Sequence, residues 1–156
     1  MIKPSSCPCT PENIYDTCCK PYHYGALAKH AETLMRARYS AFALQRIEFI
    51  KNSSLPAQQD LLDMEAIGQW SQNSQWLGLE VLAATLSDSQ RHATVEFIAH
   101  WQDAQGRHQH REKSLFIKPD EQWYFYDPNV PLLAQRNAAC PCGSGVKFKK
   151  CCAPFF

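Results

Sequence analysis

Two copies of one cysteine frame hold every cysteine of this chain. Cys7-Pro8-Cys9 is followed, after eight residues, by Cys18-Cys19, and Cys140-Pro141-Cys142 is followed, again after eight, by Cys151-Cys152. The copies also agree off the cysteines. A proline splits the first pair in both (Pro8, Pro141), and an aromatic stands six residues past the second cysteine in both (Tyr15, Phe148). Four thiols at fixed spacing suit a tetrahedral metal with soft ligands, and a set of four leaves no coordination position open for a substrate. The spacing therefore reads as two structural zinc sites, one zinc ion in each, held by Cys7, Cys9, Cys18 and Cys19 and by Cys140, Cys142, Cys151 and Cys152. The eight-residue loop lets the chain turn back so that both pairs reach one ion. Gly143 and Gly145 can take backbone angles closed to other residues and so wrap that turn tightly. Iron on four thiolates is chemically allowed as well. Disulfides fit poorly, because adjacent cysteines bridge each other only with strain.

Length and charge set the remaining bounds. A chain of 156 residues holds one globular domain with small appendages. The middle can bury a core unaided, whereas each knuckle has too few apolar residues and needs its metal to fold. Formal net charge is +1; eight thiolates and two zinc ions would make it modestly negative. Neither balance pulls strongly on nucleic acid or anionic membranes. The first six residues carry no apolar leader, and no apolar run approaches a membrane span. Grouped thiols with no disulfide pattern point to a reducing cytoplasm.

The pattern between the knuckles changes once. From Ala31 the apolar residues Leu34, Met35, Tyr39 and Phe42 recur with helical spacing. A second helix is expected from Gln45 to Ser53. A third is expected from Gln58 to Asn73, after a break at Asn52-Ser53-Ser54-Leu55-Pro56. From Gln75 the period becomes two. Strands are expected at Gln75–Leu82, Ala93–Gln102, Arg107–Lys118 and Gln122–Tyr126, joined by turns at Ser87–Gln90, Asp103–Gly106 and Pro119–Glu121. Helices followed by consecutive antiparallel strands describe an α+β domain with helices on one sheet face. The expected division is a knuckle over 1–24, a middle domain over 25–131 and a second knuckle over 132–156.

The stretch CPCGSG-V-KFKKCC at 140–152 resembles the SEC-C motif, a small zinc-binding module best known at the C-terminus of the preprotein-translocase ATPase SecA. A copy of that frame at each end resembles the YchJ family of uncharacterised bacterial proteins. Three middle segments agree: Leu34-Met35-Arg36-Ala37-Arg38-Tyr39-Ser40-Ala41-Phe42, Trp76-Leu77-Gly78-Leu79 and Gln122-Trp123-Tyr124-Phe125-Tyr126-Asp127. One departure stands out: the first knuckle has Thr10-Pro11-Glu12 where the motif has Gly-Ser-Gly, and Pro11 has no N–H to offer a sulfur. The resemblance implies a nuclear-transport-factor-like (cystatin-like) middle domain, a curved antiparallel sheet wrapped around N-terminal helices, often with a conical pocket between them.

Candidate pocket residues are Arg38, Tyr39, His100, Trp101, Arg111 and Trp123, with Glu112 and Tyr126 beside them. An arginine inside an apolar helix needs a partner, since an unpaired buried charge is costly. His100 and Glu96 share a strand face, so an acid–base pair with Glu112 across from it is conceivable; ordinary cross-strand pairing is the plainer reading. His108-Gln109-His110 reads as an exposed hairpin end. No phosphate loop, nucleophile elbow or catalytic triad is legible, and no reaction type follows. The function expected is that of a non-enzymatic zinc protein that docks on a protein partner through the rim Lys147, Phe148, Lys149 and Lys150. In SecA the module is associated with the export chaperone SecB and the ribosome. The alternatives are a small-molecule binder or enzyme using the middle pocket, and nucleic-acid or ribosome contact through the basic rim.

Overall fold

A computed structural model describes residues 5–156. The first four residues of the expected N-terminal knuckle, and the leader-free start read there, lie outside the described residues. The element order is β1 (Ser6–Cys7), β2 (Thr10–Ile14), α1 (Lys20–His23), α2 (Ala31–Ala43), α3 (Ile47–Asn52), α4 (Pro56–Gln59), α5 (Met64–Asn73), β3 (Gln75–Leu86), β4 (His92–Asp103), β5 (Gly106–Ile117) and β6 (Tyr124–Phe125). β1 and β2 form a small hairpin; β3 to β6 form one antiparallel sheet in sequence order. The α+β architecture with an antiparallel sheet and helices is as the sequence pattern indicates.

α2 is the central helix. Its apolar residues repeat every three to four positions, and no Gly or Pro interrupts it. It ends in a Schellman motif: the Arg46 N–H donates to Ala41 O and the Gln45 N–H to Phe42 O, with Gln45 at φ 58°. Leu34, Met35 and Tyr39 face the sheet and pack with Val95, Phe97, Ala99 and Phe116 in the main core.

Two expected elements differ. The helix expected over 58–73 is two helices, α4 and α5. The Asp63 side chain accepts a hydrogen bond from the Ala66 N–H and so starts a new helix there. The last strand is two residues long. Beyond β5, its other edge takes the Ser53–Leu55 segment: the Leu55 N–H donates to Phe125 O, and the Phe125 N–H to Ser53 O. β3 carries irregularities at Trp76/Gly78 and Val81/Ala83, and such bulges bend a strand and sharpen its twist.

Candidate metal centres

At the N-terminal end the β1–β2 hairpin presents Cys7 and Cys9, and a 3-10 turn at Tyr15–Thr17 delivers Cys18 and Cys19. Cys9 Sγ lies 3.6 Å from Cys7 Sγ, 3.5 Å from Cys18 Sγ and 3.6 Å from Cys19 Sγ. At the C-terminal end the loop closes differently. The Cys140 N–H donates to Val146 O at 2.8 Å, while Gly143 and Gly145 sit at φ 93° and 81°, where a side chain would be strained. Cys142 Sγ lies 3.6 Å from Cys151 Sγ, which is 3.9 Å from Cys152 Sγ. Within each set all four sulfurs fall within 4.8 Å of one another, and all eight thiols are free. Metal–sulfur bonds of ~2.3 Å in a tetrahedron require sulfur–sulfur edges of ~3.8 Å, so each set has the dimensions of a metal cage.

The acidities of these thiols point the same way. Cys7 is held far below the usual thiol range, above all by a hydrogen bond with Cys19, which is pushed far up in turn. Cys142 is pulled down to about 4, chiefly by Cys152, which rises strongly. Burial and neighbouring sulfurs likewise raise Cys18, to about 11. A divalent cation at the centre would let all four ionise together. The donor sets fit a metal ion.

At each centre a buried polar side chain of the middle domain reaches a cysteine sulfur. On the outer side of α2 the Ser40 hydroxyl donates to Cys19 Sγ at 3.3 Å and lies 3.4 Å from Cys7 Sγ. Arg36, four residues earlier and paired with Glu32, donates to Thr10 Oγ1 at 3.0 Å. At the other centre His92, at the start of β4, places Nε2 3.2 Å from Cys152 Sγ. Burial holds His92 below the usual imidazole range, which favours the neutral ring; against a metal-bound thiolate Nε2 would be the nitrogen that carries the proton. Its Nδ1 has no partner among the described residues, and the ring stacks on Phe155 at 4.1 Å. His92 sits on the sheet face away from α2, where Leu55, Ile117 and the four C-terminal cysteines form a second apolar cluster.

Sequence reasoning passed over both tethers. It also passed over an extension of the repeat. Lys20-Pro21-Tyr22 and Ala153-Pro154-Phe155 follow the two cysteine pairs with proline and an aromatic at matching places. The backbone matches there too: Cys19 has φ −91°, ψ −22° and Cys152 has φ −86°, ψ −22°, and each starts a short helical turn. Of the rim residues, Lys147 and Lys150 are exposed and Lys149 half-buried, while Phe148 turns inward against Phe156 and the second cluster.

A cavity of about 320 Å³ lies between the helices and the sheet. Arg38, Tyr39 and Trp101 line it, as does Glu112. Four candidates do not. His100 is on the opposite sheet face and bonds Glu80 at 2.8 Å, so the pairing with Glu96 is not formed. Arg111, on that same outer face, pairs with Glu96 at 2.9 Å. Trp123 is buried elsewhere in the core, its indole N–H donating to Lys29 O at 3.4 Å. The reason is strand parity: Phe97, Ala99 and Trp101 face α2, so Glu96, Ile98 and His100 face away. Tyr126 stacks on Phe156. His110 is exposed as expected and also lines the cavity, together with Trp70, Trp76 and Asp127.

Comparison with known proteins agrees with this arrangement. The family model described as YchJ, middle NTF2-like domain, matches residues 30–128, and the SEC-C motif model matches residues 136–154. The chain is similar to a SEC-C motif containing protein from Psychrobacter arcticus, with 42% identity over 99% of both chains and a TM-score of 0.87. It is also similar to a SEC-C motif containing protein from Rhodopseudomonas palustris, with 34% identity over 78% of this chain and 95% of that one, and a TM-score of 0.70. With an NTF2-like middle domain and a four-cysteine cluster on either side of it, the chain belongs to the YchJ family.

Proposed function

We propose that this is a two-zinc protein whose centres are structural and whose C-terminal knuckle docks on a protein partner in a reducing compartment such as the cytoplasm. The observation that carries the metal assignment is the near-tetrahedral spacing of two closed four-sulfur sets. Cys7, Cys9, Cys18 and Cys19 would hold one ion and Cys140, Cys142, Cys151 and Cys152 the other. Each ion would supply positive charge that lets the thiols ionise and fixes a loop too small to fold alone. Elemental analysis of protein purified without added metal tests this directly. Two zinc equivalents per chain are expected; iron, or no metal, would sink it.

Docking is supported by what surrounds the second centre. Lys147 and Lys150 are exposed, and beside them Phe155 and Phe156 are 43% and 45% exposed. A basic rim around a partly exposed aromatic pair suits a partner with an acidic edge and an apolar middle. Phe148 shapes this surface from beneath. The test is capture of partners from bacterial extract with wild type and with the Lys147→Glu/Lys150→Glu variant, followed by titration of the purified partner. Binding should weaken about tenfold or more in the variant while its metal content is unchanged. An identical partner set and affinity would overturn the docking reading.

A second reading is favoured by one observation. The middle cavity is open and carries Arg38, His110, Glu112 and Asp127 along with its aromatic wall, which supports a small-molecule site.

A further inference from the structure

The cavity has two chemically distinct ends. At one end Trp70, Trp76 and Trp101 meet with ring centroids 5.2 to 5.9 Å apart, and Phe42 adds a fourth ring 5.1 Å from Trp70. At the other end the Arg38 guanidinium lies 4.3 Å from the centre of the Phe125 ring, near the end of β5. Glu112 stands between them on β5, flanked by His110 and Ser114.

Arg38 is the unusual group. It is only 8% exposed, its guanidinium stays charged, and it makes no ion pair among the described residues. All of its hydrogen bonds leave from Nη1: to Ile50 O at 2.9 Å, Ser53 Oγ at 2.7 Å and Ser54 Oγ at 3.3 Å. Nε and Nη2 have no partner among the described residues, yet neither is sealed off. These hydrogen bonds hold the fork in place while two donors remain free in a lined cavity. Burial lowers Arg38 to about 10, and the fields of Asp127 and Glu112 oppose that drop.

The two carboxylates have acceptor capacity to spare. Glu112 Oε2 accepts from the Ser114 hydroxyl, and Oε1 lies 3.7 Å from His110 Nε2. Asp127 Oδ1 accepts from the Asn129 N–H. A plain anion would meet Arg38 but also two carboxylates. A plain cation would meet the carboxylates but also a buried guanidinium. A molecule that carries both charges on groups attached to one carbon satisfies both, and the tryptophan end takes an apolar body.

We propose that the cavity binds a small zwitterion of the amino-acid class with an aromatic or large apolar side chain. Its carboxylate sits on the free donors of Arg38, its ammonium faces Glu112 and Asp127, and its side chain lies among Trp70, Trp76 and Trp101. The proposal rests on the reading of the cavity as a ligand site. A volume of about 320 Å³ is at the small end of ligand pockets and suits a single amino acid.

The test is an NMR titration of the full chain with three ligands that share a phenyl body: L-phenylalanine, 3-phenylpropionate and phenethylamine. The four tryptophan indole N–H signals report the site, and that of Trp123, outside the cavity, is the internal control. L-phenylalanine should bind about tenfold or more tighter than either singly charged relative, since each loses a charge-assisted contact. It should shift the signals of Trp70, Trp76 and Trp101 and leave Trp123 in place. Glu112→Gln, which keeps an acceptor for Ser114, should abolish the preference over phenylpropionate. Equal or tighter binding of a singly charged ligand in the cavity would refute the zwitterion assignment and leave the ligand-site reading standing. No shift with any of the three up to about 10 mM, a range that reaches very weak affinities, would overturn both.

Discussion

The two cysteine knuckles share a frame and the turns around their second cysteine pair, yet they are mounted on opposite layers of the molecule. The N-terminal set lies on the outer side of α2, and Cys7, Cys9 and Cys19 pack in the same apolar cluster as Leu34, Met35 and Tyr39. The C-terminal set lies on the outer face of the sheet and shares a separate cluster with Leu55 and Ile117. One is tied down by a serine hydroxyl, the other by a neutral imidazole. The same ligand chemistry is therefore part of the main core at one end and a covering at the other. What differs is the second layer of contacts, which the cysteine spacing does not encode.

The largest test of this contrast is to remove one ligand from each centre. Cys19→Ser and Cys142→Ser should each lose about one equivalent of metal. Cys19→Ser should also cost the middle domain ~4 kcal/mol or more, because metal loss there opens the main core. Cys142→Ser should loosen the tail and leave the middle transition nearly unmoved. Calorimetry with elemental analysis reads both, and equal losses of melting temperature would erase the contrast.

His92→Ala should come next. It removes the hydrogen bond to Cys152 Sγ and a ring stack, for ~2 kcal/mol felt at the C-terminal centre alone. Metal capture by a competing chelator should quicken there, with the N-terminal centre unaffected. The loops themselves give a smaller effect. Gly143→Ala places a side chain at a left-handed position and should cost ~1–2 kcal/mol. Pro11→Ala in the matching loop should stay within ~0.5 kcal/mol, because that loop is a hairpin strand with ordinary angles. Ser40→Ala should cost ~1 kcal/mol and weaken the N-terminal centre only; an effect at the C-terminal centre would mean the two are coupled through the domain.

The sequence made the metal sets legible because four thiols at fixed spacing have few other uses. α2 and β4 were legible because their apolar residues keep strict periods of about four and two. The cavity was legible only in part. Arg38, Tyr39 and Trp101 stood out and line it, but His100 and Arg111 stood out equally and face the other way. Which parity of a strand faces the helices is fixed by packing, not by alternation alone. Asp63 interrupts a helical pattern through one side-chain hydrogen bond, a local competition that periodicity averages over. His92 was hidden because it has the parity of an exposed residue; it is buried by a knuckle that comes back from the far end of the chain.

That mounting has a mechanical side. Tension entering the middle domain along the backbone, from either direction, reaches a four-sulfur centre before it reaches α2 or β6. With the proposed ions bound, each centre would be a short knot closed by coordination bonds, one that yields by releasing its ion rather than by fraying. Pulled unfolding, which is governed by rate rather than equilibrium, should then wait on metal release, and a chelator should hasten an ATP-driven unfoldase acting from either side. The two centres would then be latches on the thread as well as staples of the fold.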